Sequence, residues 1–190
     1  IGAALARRFA EESPANLVLA DRDLDGARAV AQAVAPGVSG QCVPRQLDVG
    51  RDGANEALVA DVENNVGPID LFVANAGIAT GASEQADDGV WGSIWDINTM
   101  AHVRAARALV PLWLERGGGY LLTTASAAGL LTNLGDAPYT VTKAAAVAFA
   151  FVGPKAREAT PEIGTPEEER PPGDTLVAAP PDDRAPPEDL

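Results

Sequence analysis

The sequence predicts an α/β fold built on a doubly wound parallel sheet, and three observations support this prediction. Short runs made only of apolar residues, such as 17–20, are typical of strands that are buried on both faces. Segments of helical length and periodicity lie between these runs, and glycine or proline ends several of them. Strands that alternate with helices indicate a parallel sheet whose two faces are covered by helices.

The predicted elements follow one another along the first 151 residues. The first helix places Leu5 and Phe9 on one side. The second strand contains Pro44, which is tolerated only where its missing N–H is not needed. The longest helix contains Pro111, and we expect this proline to kink or end it. The predicted helices are 1–12, 25–34, 55–65, 91–115 and 139–151, and the predicted strands are 17–20, 42–47, 69–74 and 120–124.

The composition changes near Phe151. Nine of the fifteen prolines lie in the last forty positions, where ten acidic residues outnumber four basic ones. Such a segment has too little apolar surface to offset the conformational entropy of folding. We therefore expect an ordered domain over 1–152 and an acidic, proline-rich, disordered tail over 153–190.

Charge and cysteine content exclude several classes of function. The formal net charge of −13 disfavours nucleic acid and anionic membranes as partners. The longest apolar stretch, 144–152, is far shorter than the ~20 residues that span a bilayer. Cys42 is the single cysteine and His102 the single histidine, so we expect neither a disulfide nor a metal site. With no secretory leader, these features predict a cytoplasmic protein.

Polar and small residues follow the predicted strands, where doubly wound sheets bind their ligands. Asp21 lies nineteen positions after Gly2, a spacing at which a carboxylate can accept both ribose hydroxyls of an adenosine. That carboxylate would repel a 2′-phosphate and favour NAD over NADP. Asp48 and Val49 follow the next strand, where a carboxylate could reach an adenine amino group. Asn75, Ala76 and Gly77 follow the third strand and allow close backbone approach to a cofactor. Taken singly, each is a common loop feature, and Asp21 is equally well explained as a helix cap.

A second pattern combines Ser126, Tyr139 and Lys143. Tyr139 and Lys143 are four residues apart on a predicted helix, so their side chains project from one face. A phenol with a pKa near ~10 is a poor base at neutral pH, and a nearby ammonium favours its phenolate form. Such a pair could exchange a proton with an alcohol or a carbonyl, and Ser126 could hold the substrate oxygen. The alternative is a helix-surface pair with an extended lysine.

Taken together, these residues resemble the short-chain dehydrogenase/reductase family over about residues 1–152. The resemblance is carried by Gly2, Asp21, Asp48, Asn75-Ala76-Gly77, Asn98, Ser126 and Tyr139-Thr-Val-Thr-Lys143, in that order. It implies a Rossmann-like fold, a nicotinamide cofactor, and hydride transfer between that cofactor and an alcohol or carbonyl substrate.

The resemblance also implies a role for each matched position. Ser126 would orient the substrate oxygen, Tyr139 would be the acid/base, and Lys143 would lower the pKa of that tyrosine and bind the nicotinamide ribose. Asn98 would hold the helix geometry and a proton-relay water. An intact parent chain would form a homo-oligomer, because the helices that carry Asn98 and Tyr139 often pair across a two-fold interface in the family.

The chain departs from the family at both ends. Only Ile1 and Gly2 remain of the glycine-rich loop, and the strand before it is absent. That strand lies between the 17–20 and 69–74 strands in the family, so we expect two half-sheets with unpaired, buried backbone groups. The sequence diverges again after about residue 151, where the family adds further strands. We therefore expect an incomplete, truncated domain, and a non-catalytic remnant or a nucleotide-binding regulatory module is the alternative to an enzyme.

Two remaining residues have simple structural interpretations. His102 is predicted on a helix without a partner ligand, and we expect a surface or half-buried side chain. Cys42 lies in a predicted strand and is interpreted as an inert, small core residue.

Overall fold

The computed structural model describes residues 1–131 and 135–152, with side chains described up to residue 150, and within these ranges helices and parallel strands alternate as predicted. The tail predicted over 153–190 lies outside the described residues. The helices are α1 (Gly2–Ala10), α2 (Leu24–Val34), α3 (Ala54–Asn65), α4 (Asp88–Trp95), α5 (Ala101–Arg116) and α6 (Ala137–Val152). The strands are β1 (Leu17–Asp21), β2 (Cys42–Gln46), β3 (Leu71–Ala74) and β4 (Tyr120–Thr123).

The four strands form two separate sheets of two parallel strands each. β1 pairs with β2 in one sheet, and β3 pairs with β4 in the other. The α/β class and the incomplete sheet are therefore as expected. The expectation that the free edges are buried is not met, because Val18 and Val73 are half-buried while Ala20 and Leu71 are exposed. Water can reach this part of the molecule and hydrate the free backbone groups.

Pro44 occupies the one kind of strand position that tolerates it. Pro44 lies in β2, opposite Leu19 of β1. The hydrogen bonds at the two ends of this strand pair are made by Gln41 C=O and Leu47 N–H, which alternate with Pro44 along the chain. Alternate residues of a strand direct their backbone groups to opposite edges, so the nitrogen of Pro44 faces away from β1.

The third strand begins at Leu71 rather than at Ile69 because side chains occupy the backbone of Ile69. Its N–H donates to Glu63 Oε1 at 2.9 Å, and its C=O accepts from Trp113 Nε1 at 2.6 Å and from Arg116 Nη2 at 3.0 Å. Arg116 Nη1 also bonds Glu63 Oε2 at 2.5 Å. These contacts join α3, β3 and α5 around the core that contains Val59, Ala105, Leu109 and Trp113.

The predicted long helix is longer than expected and contains an irregular turn. It begins at Asp88, where the Asp87 side chain accepts from Val90 N–H at 3.0 Å. A π-helical turn, Asp96–Met100, connects α4 to α5. Pro111 lies inside α5, so of the two predicted effects, a kink or the end of the helix, the second does not occur. π turns inserted in α-helices frequently occur at functional sites.

His102 corrects another expectation. It was predicted at or near the surface, but its side chain is 1% exposed. His102, Ala105 and Leu109 follow one another at helical spacing on the buried face of α5. None of the helices that the structure describes is long and apolar enough to cross a membrane.

Candidate active site

Asn98 lies in the π turn and connects three segments of the chain. Its side chain is fully buried. The Oδ1 atom accepts from Ile78 N–H at 2.8 Å, and Nδ2 donates to Ile78 C=O at 2.8 Å and to Thr142 Oγ1 at 3.1 Å. Both N–H donors of the amide are thus used within the protein. These contacts hold the loop after β3 against α6, as a residue that fixes helix geometry would.

Lys143 and Tyr139 lie one turn apart on α6 and face the same group of residues. Lys143 is 4% exposed, and its Nζ donates to Thr124 C=O at 2.9 Å. The Nζ atom lies 5.8 Å from the centroid of the Tyr139 ring. A Cβ atom added at Gly77 would lie 3.1 Å from Asn98 Oδ1 and 3.3 Å from Lys143 Nζ, so the Gly77 backbone closely approaches both side chains. Burial lowers the pKa of Lys143.

Asp136 lies in the candidate site, and sequence analysis missed it. It is 8% exposed and precedes α6, and its carboxylate accepts from Tyr139 N–H at 3.1 Å. The same carboxylate accepts from the N–H groups of Thr80 and Gly81 at 2.7 Å and from Thr80 Oγ1 at 2.8 Å. Burial raises the pKa of Asp136, but the hydrogen bonds from Gly81, Thr80 and Tyr139 outweigh this effect and the pKa lies below its usual value.

The spacing of Asp136 from Tyr139 could have predicted that Asp136 caps α6. An aspartate three residues before a position in the first helical turn is a typical N-cap. The bonds to Thr80 and Gly81 carried no such signal, because these residues are more than fifty positions away. We refer to Asn98, Asp136, Tyr139 and Lys143 as the α6 cluster.

Ser126 lies in the loop after β4 and begins a short 3₁₀ turn. Its Oγ accepts from Ala128 N–H at 3.2 Å. The turn, Ala127–Gly129, packs against α6. A Cβ atom added at Gly129 would lie 2.6 Å from the backbone C and O atoms of Lys143. The glycine therefore allows the loop that carries Ser126 to lie directly on α6.

The residues after the first two strands are held by local bonds. Asp21 is exposed, and its Oδ1 accepts from Asp23 N–H at 3.0 Å. Asp48 is also exposed, and its Oδ1 accepts from Gly50 N–H at 3.1 Å. Val49 is half-buried and its C=O accepts from Asn55 Nδ2 at 3.1 Å. Both carboxylates therefore have free acceptor capacity at the carboxyl ends of their strands.

The residues after β3 contact both α1 and β4. Asn75 Oδ1 accepts from Thr124 Oγ1 at 3.0 Å. A Cβ atom added at Gly2 would lie 2.9 Å from Asn75 Nδ2, so the start of α1 approaches this loop closely. Ile1 is 83% exposed, and Ala76 is also exposed. Gly2 and Ala76 carry little or no side chain, so a ligand can approach their backbone closely.

A cavity of about 780 Å³ opens between the two sheets, and we call it the inter-sheet cavity. It is lined by residues of β1 and β3, of α1, α2, α3 and α5, and of several loops. Five predicted cofactor residues line it: Gly2, Asp21, Val49, Asn75 and Ala76. Ile1, Asp48, Gly77, Ser126 and the α6 cluster do not. The predicted site thus divides into a part around this cavity and a part around α6.

Comparison with known proteins identifies the family. A family model described as short chain dehydrogenase matches residues 1–156. The chain belongs to this family. Dehydrogenase/reductase SDR family member 4 of Oryctolagus cuniculus is 36% identical over 152 residues, which cover 77% of this chain and 56% of that protein. An uncharacterized NAD-dependent oxidoreductase of Mycobacterium tuberculosis is 34% identical over 107 residues, which cover 55% of this chain and 39% of that protein.

Solved structures show the same fold. L-sorbose reductase from Gluconobacter frateurii, complexed with NADPH and L-sorbose, has a TM-score of 0.73 and 32% identity. The match covers 80% of this chain and 58% of that one. A short-chain dehydrogenase from Sphingobium yanoikuyae in complex with NADPH has a TM-score of 0.70 and 27% identity, over 80% of this chain and 59% of that one. The chain therefore has a Rossmann-like fold and spans about half the length of the curated relatives it matches.

The residues present fit both the adenosine end and the nicotinamide end of a nicotinamide dinucleotide. Asp21 offers acceptors for a ribose, and the small residues at Gly2 and Gly77 permit the backbone approach that a cofactor requires. Lys143 and Asn98 lie against Gly77 at the other end. The start of α1 has no side-chain cap, which suits a phosphate.

Proposed function

We propose that the chain contributes the active site of an oxidoreductase that transfers a hydride between a nicotinamide cofactor and an alcohol or carbonyl substrate. The observation that carries this proposal is the arrangement of α6. Tyr139 and Lys143 lie on one helical face, Lys143 is anchored to Thr124 C=O, and Gly77 and Asn98 lie beside it. A buried ammonium next to a phenol at the carboxyl ends of two parallel strands is suited to proton transfer.

Each side chain has a distinct task in this proposal. Tyr139 Oη takes the proton of the substrate hydroxyl during oxidation and returns it to the carbonyl oxygen during reduction. A nicotinamide cofactor held by these residues would accept the hydride during oxidation and supply it during reduction. Lys143 places positive charge beside the phenol and binds the nicotinamide ribose. Ser126 orients the substrate oxygen, and Asn98 holds the loop after β3 against α6 and positions a proton-relay water.

The residues proposed to hold the cofactor are Ile1, Gly2, Asp21, Asp48, Val49, Asn75, Ala76, Gly77, Tyr139 and Lys143. The carboxylate of Asp21 would accept the ribose hydroxyls of the adenosine and repel a 2′-phosphate, which favours NAD over NADP. NADPH is bound in two of the related structures described above, so the proposed preference for NAD rests on Asp21 alone.

A non-catalytic nucleotide-binding module is the second candidate function. It is favoured by the position of five predicted cofactor residues around the inter-sheet cavity, which the α6 cluster does not line. A remnant that neither catalyses a reaction nor binds a nucleotide is a further form of this alternative. Both keep the motifs of the α6 cluster, so only function can separate them from the enzyme.

Assembly and location are also proposals. We expect a homo-oligomer for an intact parent chain, because Trp95, Leu114 and Val141 are exposed apolar side chains on α4, α5 and α6. The proposed partner is a small-molecule alcohol or carbonyl compound in the cytoplasm. The charge of −13 argues against nucleic acid.

Cofactor binding and turnover test these candidates in sequence. At a cofactor concentration one hundred times Kd, NADH or NADPH should raise the free energy of unfolding by about 2.7 kcal/mol. Absence of any stabilisation by either cofactor would support the remnant. Turnover of a panel of alcohols and ketones then separates the enzyme from the binding module.

Replacement of the proposed acid/base tests the mechanism. Tyr139→Phe should lower kcat about 10²- to 10⁴-fold, since general acid–base catalysis contributes that factor, while Kd for the cofactor changes little. Tyr120→Phe is the matched control, because Tyr120 is 76% exposed on β4 and should leave kcat unchanged. Full turnover in Tyr139→Phe would contradict the assignment.

A further inference from the structure

Asp136 is a buried carboxylate that joins two segments of the candidate site. Its Oδ2 atom accepts from the N–H groups of Thr80 and Gly81, both at 2.7 Å. Its Oδ1 atom accepts from Thr80 Oγ1 at 2.8 Å and from Tyr139 N–H at 3.1 Å. Three of these bonds come from the loop after β3, and the fourth comes from the first turn of α6.

The first turn of α6 also depends on this loop for its other backbone bond. Ala137 N–H donates to Ala82 C=O at 3.0 Å, and Pro138 has no N–H to satisfy. Tyr139 N–H is bonded by the Asp136 carboxylate. The N–H groups at the start of a helix have no partner inside it. Here the loop and Asp136 supply those partners, so together they determine where α6 begins.

The beginning of α6 determines where the phenol of Tyr139 lies. Tyr139 is the third residue of this helix, whereas Lys143 lies a full turn further in and is anchored to Thr124 C=O. Helix ends open more readily than helix interiors. The tyrosine therefore keeps its place beside Lys143 only while the first turn is formed.

The loop after β3 is held by two buried side chains. Asn98 bonds both backbone groups of Ile78. Asp136 bonds the loop two and three residues further along, at Thr80 and Gly81. The segment from Ile78 to Gly81 is thus fixed at both ends. The second of these attachments is made by the carboxylate that also caps the helix of the proposed acid/base.

From these contacts we propose that Asp136 is a positioning residue of the active site, which acts through Tyr139 and the loop after β3. The inference rests on the proposed function, because it concerns the placement of the proposed acid/base. The carboxylate holds the loop and the first turn of α6 in one geometry, so the phenol stays where proton transfer requires it. Displacement of a reacting group by about 1 Å costs up to about a hundredfold in rate.

Asp136→Ser separates this role from that of an ordinary helix cap. A serine hydroxyl can still cap α6 through Tyr139 N–H, but it cannot replace the carboxylate oxygens that bond Thr80 and Gly81. We expect kcat to fall about tenfold, as for a partial displacement of the phenol, while Kd for NADH changes little. Steady-state kinetics and cofactor titration of the full chain measure both, at a temperature where denaturation curves show that the variant is folded.

An NMR measurement reports the place of Tyr139 without any turnover. The chain has two tyrosines, so incorporation of fluorotyrosine gives two fluorine signals, and Tyr120→Phe assigns them. The Tyr139 signal should shift in Asp136→Ser, because the ring leaves its position beside Lys143. The Tyr120 signal should not move, since that residue is 76% exposed on β4. A loss of stability alone, in a variant that remains folded, would move neither signal.

Two further variants separate the proposed role from a general loss of structure. Asp87→Ser changes the exposed cap of α4 and should alter neither kcat nor the Tyr139 signal. Thr80→Val removes the hydroxyl bond to Asp136 and leaves the N–H bonds of the loop in place. It should produce smaller changes of the same kind, even if Asp136→Ser fails to fold.

The two measurements distinguish this inference from the proposed function. A lower kcat together with a displaced Tyr139 signal supports the positioning role. A displaced signal in a protein that turns over no alcohol or ketone would contradict the proposed enzyme and still support the placement of Tyr139 by Asp136. An unmoved signal in both Asp136→Ser and Thr80→Val would overturn the inference, whether or not kcat falls.

Discussion

The α6 cluster and the inter-sheet cavity differ in how their polar groups are satisfied. In the α6 cluster, Asn98 and Asp136 use their side-chain atoms in bonds to segments twenty or more residues away. Around the cavity, His102 has no partner among the described residues and Asp21 makes a bond only two residues away. The positive charge of Lys143 lowers the pKa of His102, so the two regions are linked electrostatically.

This difference indicates which part of the molecule is already organised. Long-range hydrogen bonds hold the groups of the α6 cluster in one geometry, which is what a site for proton transfer requires. On the cavity side, Asp21 makes only a local bond and His102 has no partner among the described residues, so a bound ligand has more to organise there. The predictions below test this contrast.

The largest effect is expected from Asp136→Ala. The change leaves the N–H groups of Thr80, Gly81 and Tyr139 and one hydroxyl without their acceptor, and the free energy of unfolding should fall by about 4 kcal/mol. Chemical denaturation measures this loss.

A second helix cap provides the matched control. Asp87 caps α4 through one bond to Val90 N–H and is exposed, so Asp87→Ala should cost about 1 kcal/mol. Equal losses in the two variants would show that the bonds of Asp136 to the loop after β3 contribute nothing beyond an ordinary cap.

The pH dependence of stability should reveal the unpaired histidine. Burial, and secondarily the positive charge of Lys143, lowers the pKa of His102 from 6.5 to about 4. The folded state then binds fewer protons than the unfolded state between these values, so stability rises with pH from about 4 to 6.5 and is level above. The rise should be about 3 kcal/mol, from the difference between the two pKa values.

Variants separate this contribution from that of Asp136. The pKa of Asp136 is lowered, so its contribution is present above the ordinary aspartate pKa and is lost as pH falls through the lowered value. His102→Leu should remove the rise between pH 4 and 6.5, whereas Asp136→Asn should leave it. A pH profile that is unchanged by His102→Leu would show that the imidazole is solvated in the folded state.

Sequence patterns predicted the elements better than the contacts between them. The predicted strands include every strand that the structure describes, although β2 contains Arg45 and Gln46 and is not an apolar run. His102 was assigned wrongly, although its spacing to Ala105 and Leu109 placed it on the buried face. Asp136 was missed because its main partners lie in a distant loop that folding alone brings close.

The same reasoning explains what could be predicted of the site. The relative position of Tyr139 and Lys143 could be predicted because a single helical turn fixes it, and the position of Asp21 could be predicted because it follows a strand. The π turn at Asn98 carried no periodic signal, because one inserted residue in a helix leaves the pattern on either side intact.

The smallest effect is expected at the rim of the cavity. Asp21→Asn keeps an acceptor for Asp23 N–H and removes one negative charge, so stability should change by less than about 0.5 kcal/mol. The ratio of NADPH to NADH affinity should rise about fivefold, because about 1 kcal/mol of repulsion between the carboxylate and a 2′-phosphate disappears. Fluorescence titration with each cofactor measures this ratio.

Asp48→Asn is the matched control, because Asp48 is also an exposed carboxylate at a strand end but would face the adenine. It should weaken both cofactors equally. If the ratio rises in Asp48→Asn and not in Asp21→Asn, then Asp48 and not Asp21 determines the choice between NAD and NADP.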